Sequence, residues 1–324
     1  MKTISKTILL LGAALLVSCG PAPVKQKSET RTLTKKQATV LDTAAQGPLN
    51  LPELFDCVRK NKGMLIASHR GGPVDGYPEN AIETMQHGYD NGIRVFEVDV
   101  AESRDGVLFL MHDNRLNRTT TGEGYVSDTD WYDISSMNLV DNNGNTTQFH
   151  PPKLTDALIW ARENRAILEI DRKRTTSFRN VASAVRAARA ESNSIFITYD
   201  DDQAGEVARI DRTFMMTASA LGNRDITRLE TEQGIDRTRL IGWTGTRSPN
   251  EAGWQRLLKE GVEPAFGTLG RKGERLDDTY LADNDPSEYD DLAARGLVLL
   301  ATDEPYRVAK GIQADDRARK ACGL

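Results

Sequence analysis

Two of the chain's four histidines, His69 and His112, bracket a pair of carboxylates, Glu97 and Asp99. Each histidine ends a short apolar stretch, MLIAS before His69 and VLFLM before His112. Glu97 and Asp99 stand two apart in VFEVDV, so the alternation of a strand puts both carboxylates on one face. Two imidazoles flanking such a pair suit acid–base chemistry beside an oxygen-liganded metal. The same run carries Arg70-Gly71, Pro78-Glu79-Asn80, Asp105-Gly106 and Asp113.

These residues need strands to hold them. From residue 64 onward short apolar runs alternate with helical patterns. The spacing predicts strands over 64–69, 94–100, 107–112, 166–172, 194–199, 213–218, 238–244, 262–268 and 297–302. It predicts helices over 79–91, 154–164, 177–191, 203–210, 223–233, 250–260 and 305–312. Strands alternating with helices argue for a parallel sheet with helical crossovers, and at this length for an eight-stranded (β/α)8 TIM barrel. Nine strand candidates compete for eight places. Residues 100–107 are too short to hold a helix, so the second-third strand unit is irregular or hairpin-like. Barrels of this type gather functional residues at the C-terminal ends of their strands. His69, Glu97, Asp99, His112 and Asp171 all fall at or near such ends.

The ends of the chain speak to location. Lys2, Lys6 and the apolar ILLLGAALLV make a secretory signal too short to span a membrane. It runs into Leu16-Val17-Ser18-Cys19, which resembles the lipobox of bacterial lipoproteins and implies loss of residues 1–18 and lipid on Cys19. Gly20 behind it fits outer-membrane sorting and a periplasm-facing site in the bacterial cell envelope. Residues 19–50, rich in Pro, Lys, Thr, Gln and Ser, read as a flexible tether, since they lack the apolar surface to offset their ordering entropy. Residues 51–324 fit one large domain. A net charge of −5 without a basic cluster argues against nucleic acid as a partner. Contact with the membrane is then expected through the lipid anchor only. The two remaining cysteines, Cys57 and Cys322, can pair in an oxidising periplasm, and two unrelated buried thiols fit the sequence equally well.

His69-Arg70-Gly71, Pro78-Glu79-Asn80, Glu97-Val98-Asp99, Asp105-Gly106 and His112-Asp113, in this order, resemble the glycerophosphodiester phosphodiesterase family. The resemblance is dense over residues 64–173, continues through Leu116-Asn117-Arg118-Thr119-Thr120, and returns at Ala301-Thr302-Asp303-Glu304-Pro305. It implies a β/α barrel with one divalent cation, Ca2+ or Mg2+, held by Glu97, Asp99 and a third carboxylate. The family's acidic residue–spacer–lysine pattern matches Asp171-Arg172-Lys173. Asp171 is therefore preferred as third ligand, with Glu169, two residues earlier on the same face, as the alternative. The implied reaction is hydrolysis of small glycerophosphodiesters to glycerol 3-phosphate and an alcohol. A lysophospholipid or phosphoinositide phosphodiesterase on the same barrel is the alternative.

That chemistry makes physical sense of the residue types. A phosphodiester is anionic and resists attack, so its nonbridging oxygens need a positive field, which a metal, Arg70 and Lys173 can supply. One imidazole must take a proton from the attacking hydroxyl and another must protonate the leaving alkoxide, roles suited to His69 and His112. His87, within a helix, and His150, in a polar loop, are expected to be inert. Asn80 fits either a helix cap or the site. Two departures from the family stand out: Ala81 replaces a threonine, and Tyr199-Asp200 replaces a Ser-Phe. Both the segment from Trp243 and the segment from Gly296 imitate the family's ending; the second is taken as the eighth barrel strand.

Overall fold

The computed structural model describes residues 47–324. The signal segment, Cys19 and nearly all of the tether lie outside the described residues. Nine strands run β1 Leu65–Ser68, β2 Val95–Glu102, β3 Leu108–Leu110, β4 Ile167–Arg172, β5 Ser194–Ile197, β6 Met215–Ser219, β7 Leu240–Trp243, β8 Glu263–Gly267 and β9 Leu299–Thr302. Eight of them are parallel and close into a barrel, with β9 pairing back onto β1 and β1 onto β2. The fold is a (β/α)8 TIM barrel. The ninth strand is β3, antiparallel to β2 and outside the closed ring, which makes the second-third unit a hairpin. The segment ending at Thr302 is the eighth barrel strand.

Alternation within the strands sorts the core into layers. In β2, Phe96, Val98 and Val100 face outward into the cluster under the helices, whereas Val95 joins Leu65, Ile167, Ile195, Met215 and Leu299 inside the barrel. Glu97 and Asp99 continue the inward face above Val95. In β4, Leu168 and Ile170 face outward, so Glu169 and Asp171 continue inward above Ile167. The period of two puts an apolar floor beneath an acidic mouth. The helix Leu51–Lys60 buries Leu51, Leu54, Phe55 and Val58 against that floor.

Local chemistry sets the helix ends. Asp200 accepts the Gln203 amide as a cap, so its helix starts at Asp201, ahead of the expected 203. The helix expected over 79–91 spans only Ile82–Asp90, because Asn80 takes a left-handed φ of 58°. The helix expected over 223–233 is reduced to Leu229–Gln233; Asp225 ties up the Thr227 amide and hydroxyl in a turn instead. Helices at Trp131–Ser136, Leu276–Tyr280, Ser287–Ala294 and Gln313–Cys322 add to those expected. The last is joined to the first described helix by a disulfide between Cys57 and Cys322, with Cα atoms 5.8 Å apart. Among the described residues no helix is long and apolar enough to cross a membrane.

Candidate active site

The first strand delivers His69 and Arg70 through a tight turn. Arg70 has φ 52°, Gly71 82° and Gly72 84°; a Cβ on Gly72 would lie 2.2 Å from Ser68 Oγ, so only glycine fits there. The left-handed Arg70 aims its backbone N–H at Glu97 Oε2, 2.7 Å away. Its carbonyl accepts the Asn80 amide at 2.8 Å. Asn80 in turn grips Asp99 twice: Nδ2 donates to Oδ2 at 2.8 Å, and Oδ1 accepts the Asp99 amide at 2.9 Å. Two non-glycine residues in a sparsely populated conformation, both bonded to the acidic pair, mark where the fold holds strain for a purpose. Asn80 caps no helix.

Register brings the acids together. In the β2–β4 pairing Glu97 faces Glu169 and Asp99 faces Asp171. Glu97, Asp99 and Asp171 each offer an oxygen within 4.8 Å of the other two. Lys173 Nζ lies 2.5 Å from Asp99 Oδ1 and 2.7 Å from Asp171 Oδ2. Burial would push the Asp99 carboxyl up, but Lys173, His112 and Asn80 outweigh it and hold it below its ordinary value. Glu97 is pushed well up, first by burial and then by Asp99 and Asp171. A cluster in which one lysine serves two carboxylates and the third is forced toward protonation is a donor set that fits a hard divalent cation. Tyr199 donates its hydroxyl to Asp171 Oδ2 at 2.8 Å. Burial, then the Asp171 charge, raises the phenol's own pKa and keeps it protonated.

Each histidine stands on a carboxylate that is itself held by an arginine. His69 Nδ1 is 2.6 Å from Asp303 Oδ1, and its Nε2 is 3.9 Å from Glu97. Arg275 bonds Asp303, Asp278 and Glu304. The β2–β3 hairpin returns the chain so that the Met111 amide meets the Asp99 carbonyl at 2.9 Å, which sets the next residue, His112, beside the acids. His112 Nδ1 is 2.6 Å from Asp113 Oδ1. Arg118 bonds both oxygens of Asp113 and both oxygens of the buried Glu79, and Arg70 also reaches Glu79 at 3.1 Å. The Arg118 hydrogen bond is the main reason Asp113 sits far below the usual carboxylate range. With Nδ1 of each ring facing a carboxylate, Nε2 is the free end on each, ready to exchange a proton with a ligand.

The expected site residues therefore divide. His69, Arg70, Glu97, Asp99, His112, Asp171 and Lys173 converge at one mouth. Glu169 is buried one layer deeper, with burial alone pushing its carboxyl up to about 7, and lies outside the cluster of three. Asp105 and Gly106 form the hairpin turn, where Asp105 accepts Ser103 Oγ and the Trp131 amide, and carry no chemistry. His87 stacks on Tyr77 and His150 faces the Met137 carbonyl. Sequence reasoning assigned no role to Asp303, Arg118, Arg275 or Tyr199. Asp303 lies in Ala301-Thr302-Asp303-Glu304-Pro305, and its place directly after the end of a strand is the signal that could have found it.

The family model described as "Glycerophosphoryl diester phosphodiesterase family" matches residues 69–241, more than half of the chain. A curated relative, the uncharacterized protein YqiK of Bacillus subtilis, is 29% identical over 151 residues, 45% of this chain and 62% of its own length. Glycerophosphodiester phosphodiesterase 1 of Mus musculus is 29% identical over 132 residues, 41% of this chain and 38% of its own length. The chain thus spans less than two thirds of these relatives. Among solved structures, a glycerophosphoryl diester phosphodiesterase from Parabacteroides distasonis superposes with TM-score 0.68 at 25% identity, covering 81% of this chain and 91% of that one. A phosphodiesterase from Oleispira antarctica, solved with the product sn-glycerol-3-phosphate, shares the fold with TM-score 0.61 at 17% identity over 80% of this chain and 99% of that one. The matched segment opens at His69 and takes in both histidines, the three clustered acids and Lys173, so the chain belongs to the glycerophosphoryl diester phosphodiesterase family.

Proposed function

We propose that this protein hydrolyses glycerophosphodiesters to glycerol 3-phosphate and an alcohol. The observation that carries the reading is the pair of carboxylate-held imidazoles, one beside Glu97 and one beside Asp99, at the mouth of one acidic cluster. Water attacks phosphorus, and the P–O bond to the alcohol breaks. One histidine takes the proton that water loses, and the other gives a proton to the departing alkoxide. Arg70 and Lys173 face the nonbridging oxygens. Glu97, Asp99 and Asp171 would hold a divalent cation, which when bound supplies further positive charge to the phosphate.

The related mouse protein carries the name of this activity, and the Oleispira antarctica neighbour was solved with sn-glycerol-3-phosphate; both support the same substrate class here. Purified residues 19–324, assayed on glycerophosphocholine, glycerophosphoethanolamine and glycerophosphoglycerol, should release glycerol 3-phosphate, and chelation should stop it. If no glycerophosphodiester is turned over with Ca2+ or Mg2+ present, the reading fails. The Leu16–Cys19 motif supports a lipid-anchored, periplasm-facing location, with the barrel meeting small diesters from the end of its tether.

A further inference from the structure

The mouth of the barrel carries two kinds of arginine. Arg70, Arg118 and Arg275 are committed to Glu79, Asp113 and Asp303. Arg115 and Arg174 are not: among the described residues neither has a carboxylate partner. Both line a cavity of about 490 Å3 together with His112, Asp113, Asn114 and Lys173. That volume lies within the range of small-ligand sites, about 300–1,000 Å3. Its charge is one-sided. Asp113 is already engaged by His112 and Arg118, and Lys173 by Asp99 and Asp171, which leaves the two free guanidiniums to set the field.

Neither arginine dangles at the end of a loose loop. Arg115 lies in a small antiparallel ladder, where the Leu116 amide meets the Gly124 carbonyl and the Val126 amide meets the Asn114 carbonyl, both at 3.0 Å. Its guanidinium lies 4.4 Å over the Tyr125 ring, which leaves its N–H edges free. Arg174 follows β4 in a turn closed by the Thr176 amide on the Lys173 carbonyl, with the Lys173 amide pinned to Val100 at 2.8 Å. His112 and Lys173 line this cavity too, so it adjoins the place where the scissile phosphate would sit.

We propose that Arg115 and Arg174 bind a second anionic group on the substrate, a phosphate monoester carried by the polyol head group. The inference rests on the phosphodiesterase reading above and narrows its substrate class. A cationic head group such as choline meets two uncompensated positive charges there. A phosphorylated polyol meets two guanidiniums able to grip its oxygens in bidentate fashion.

Glycerophosphoinositol and its 4-phosphate differ only in the group in question. The wild type should favour the 4-phosphate by about tenfold in kcat/KM, as two partly exposed charge-assisted contacts allow. The Arg115→Ala/Arg174→Ala double variant should bring that ratio close to one. No preference in the wild type overturns the proposal. An equal fall for both substrates in the variant does so too, because the arginines would then serve the scissile phosphate alone. Calorimetric titration with inositol 4-phosphate gives a readout that needs no turnover. Binding should weaken about tenfold in the double variant relative to the wild type, and unchanged binding overturns the head-group site even if hydrolysis is never detected.

Discussion

His69 Nδ1 and Asp303 Oδ1 lie 2.6 Å apart across 234 positions of sequence. The pair exists because β9 closes the barrel onto β1 with Ser68 opposite Thr302, so the residues that follow the two strands emerge side by side. The Asp277 carboxylate, buried and bonded by Tyr289, Thr302 and the Asp303 amide, fixes the base of that corner. His69 therefore depends on barrel closure for its orientation.

Asp303→Asn tests this dependence. Burial pushes the Asp303 carboxyl up, but its bonds to His69, Gly270 and Arg275 win and hold it down at about 2. A depressed carboxyl contributes stability above its unfolded value, near 3.8, and loses that contribution as pH falls toward the folded value. The variant should show a flatter loss of stability between those two pH values in acid unfolding, and a kcat lower by about 10²-fold. Unaltered kcat would remove Asp303 from the orientation of His69.

His69→Ala and His112→Ala should each cost roughly 10²–10⁴-fold in kcat with the circular dichroism spectrum intact, the usual scale for loss of a proton-transfer group. Arg118→Ala should lower kcat by less, because Asp113 stays beside His112 and only its brace is lost. Arg118→Lys should restore only part of the loss, since an ammonium cannot bond both Glu79 and Asp113 in bidentate fashion. Near-normal turnover in either histidine variant would take that residue out of the mechanism.

Much of this site is legible in the sequence, and for a physical reason. A strand's period of two turns VFEVDV and ILEIDR directly into inward carboxylates above an apolar floor, and the hairpin character of the second-third unit follows from a connection too short for a helix. What the sequence withheld depends on closure and on competition. Asn80 fits a cap or the site equally until its left-handed φ and its two bonds to Asp99 decide it. The helix Gln313–Cys322 escapes notice because half of QADDRARKAC is charged and only Ala314, Asp315 and Ala318 are buried. Tyr199 reads as a departure from the family at a strand end, and only the β4–β5 pairing puts it over Asp171.

The choice of third acidic ligand has a direct test. Glu97→Gln, Asp99→Asn and Asp171→Asn should each raise the concentration of Ca2+ or Mg2+ needed for half-maximal activity about 10-fold or more, the scale on which metal sites respond to lost partners. Glu169→Gln, one layer below and outside the cluster, should leave that requirement within about twofold of the wild type. Calorimetric titration of the metal alone checks the same order without substrate. Should Glu169→Gln weaken the metal as strongly as Asp171→Asn, the deeper carboxylate would have to belong to the site.

The Leu16–Cys19 motif makes the location testable. Under the proposed anchoring, Cys19→Ser should abolish lipid labelling and release the protein from the membrane fraction, since acyl chains would contribute about 0.8 kcal/mol per buried CH₂. Specific activity should not change. A variant that stayed with the membrane would mean that the barrel itself binds lipid, and would favour a lysophospholipid substrate.

The disulfide closes the domain at the end away from the chemistry. Cys57 lies in the helix whose Leu51, Leu54, Phe55 and Val58 seal the barrel floor, and Cys322 ends the helix that packs beside it. The bond spans 265 positions, so it constrains the unfolded chain across almost the whole folded unit. Cys57→Ala/Cys322→Ala should lower the unfolding free energy by about 2–4 kcal/mol, the typical range for a native disulfide. At 25 °C kcat should stay within about twofold, since His69, His112 and the three acids sit at the opposite ends of the strands. Dithiothreitol should reproduce the double variant's midpoint in urea when added to the wild type and leave the variant unmoved. A wild type whose midpoint ignores reductant would show that the bond adds nothing to stability, and a parallel loss of kcat would show that the seal at the floor is coupled to the mouth.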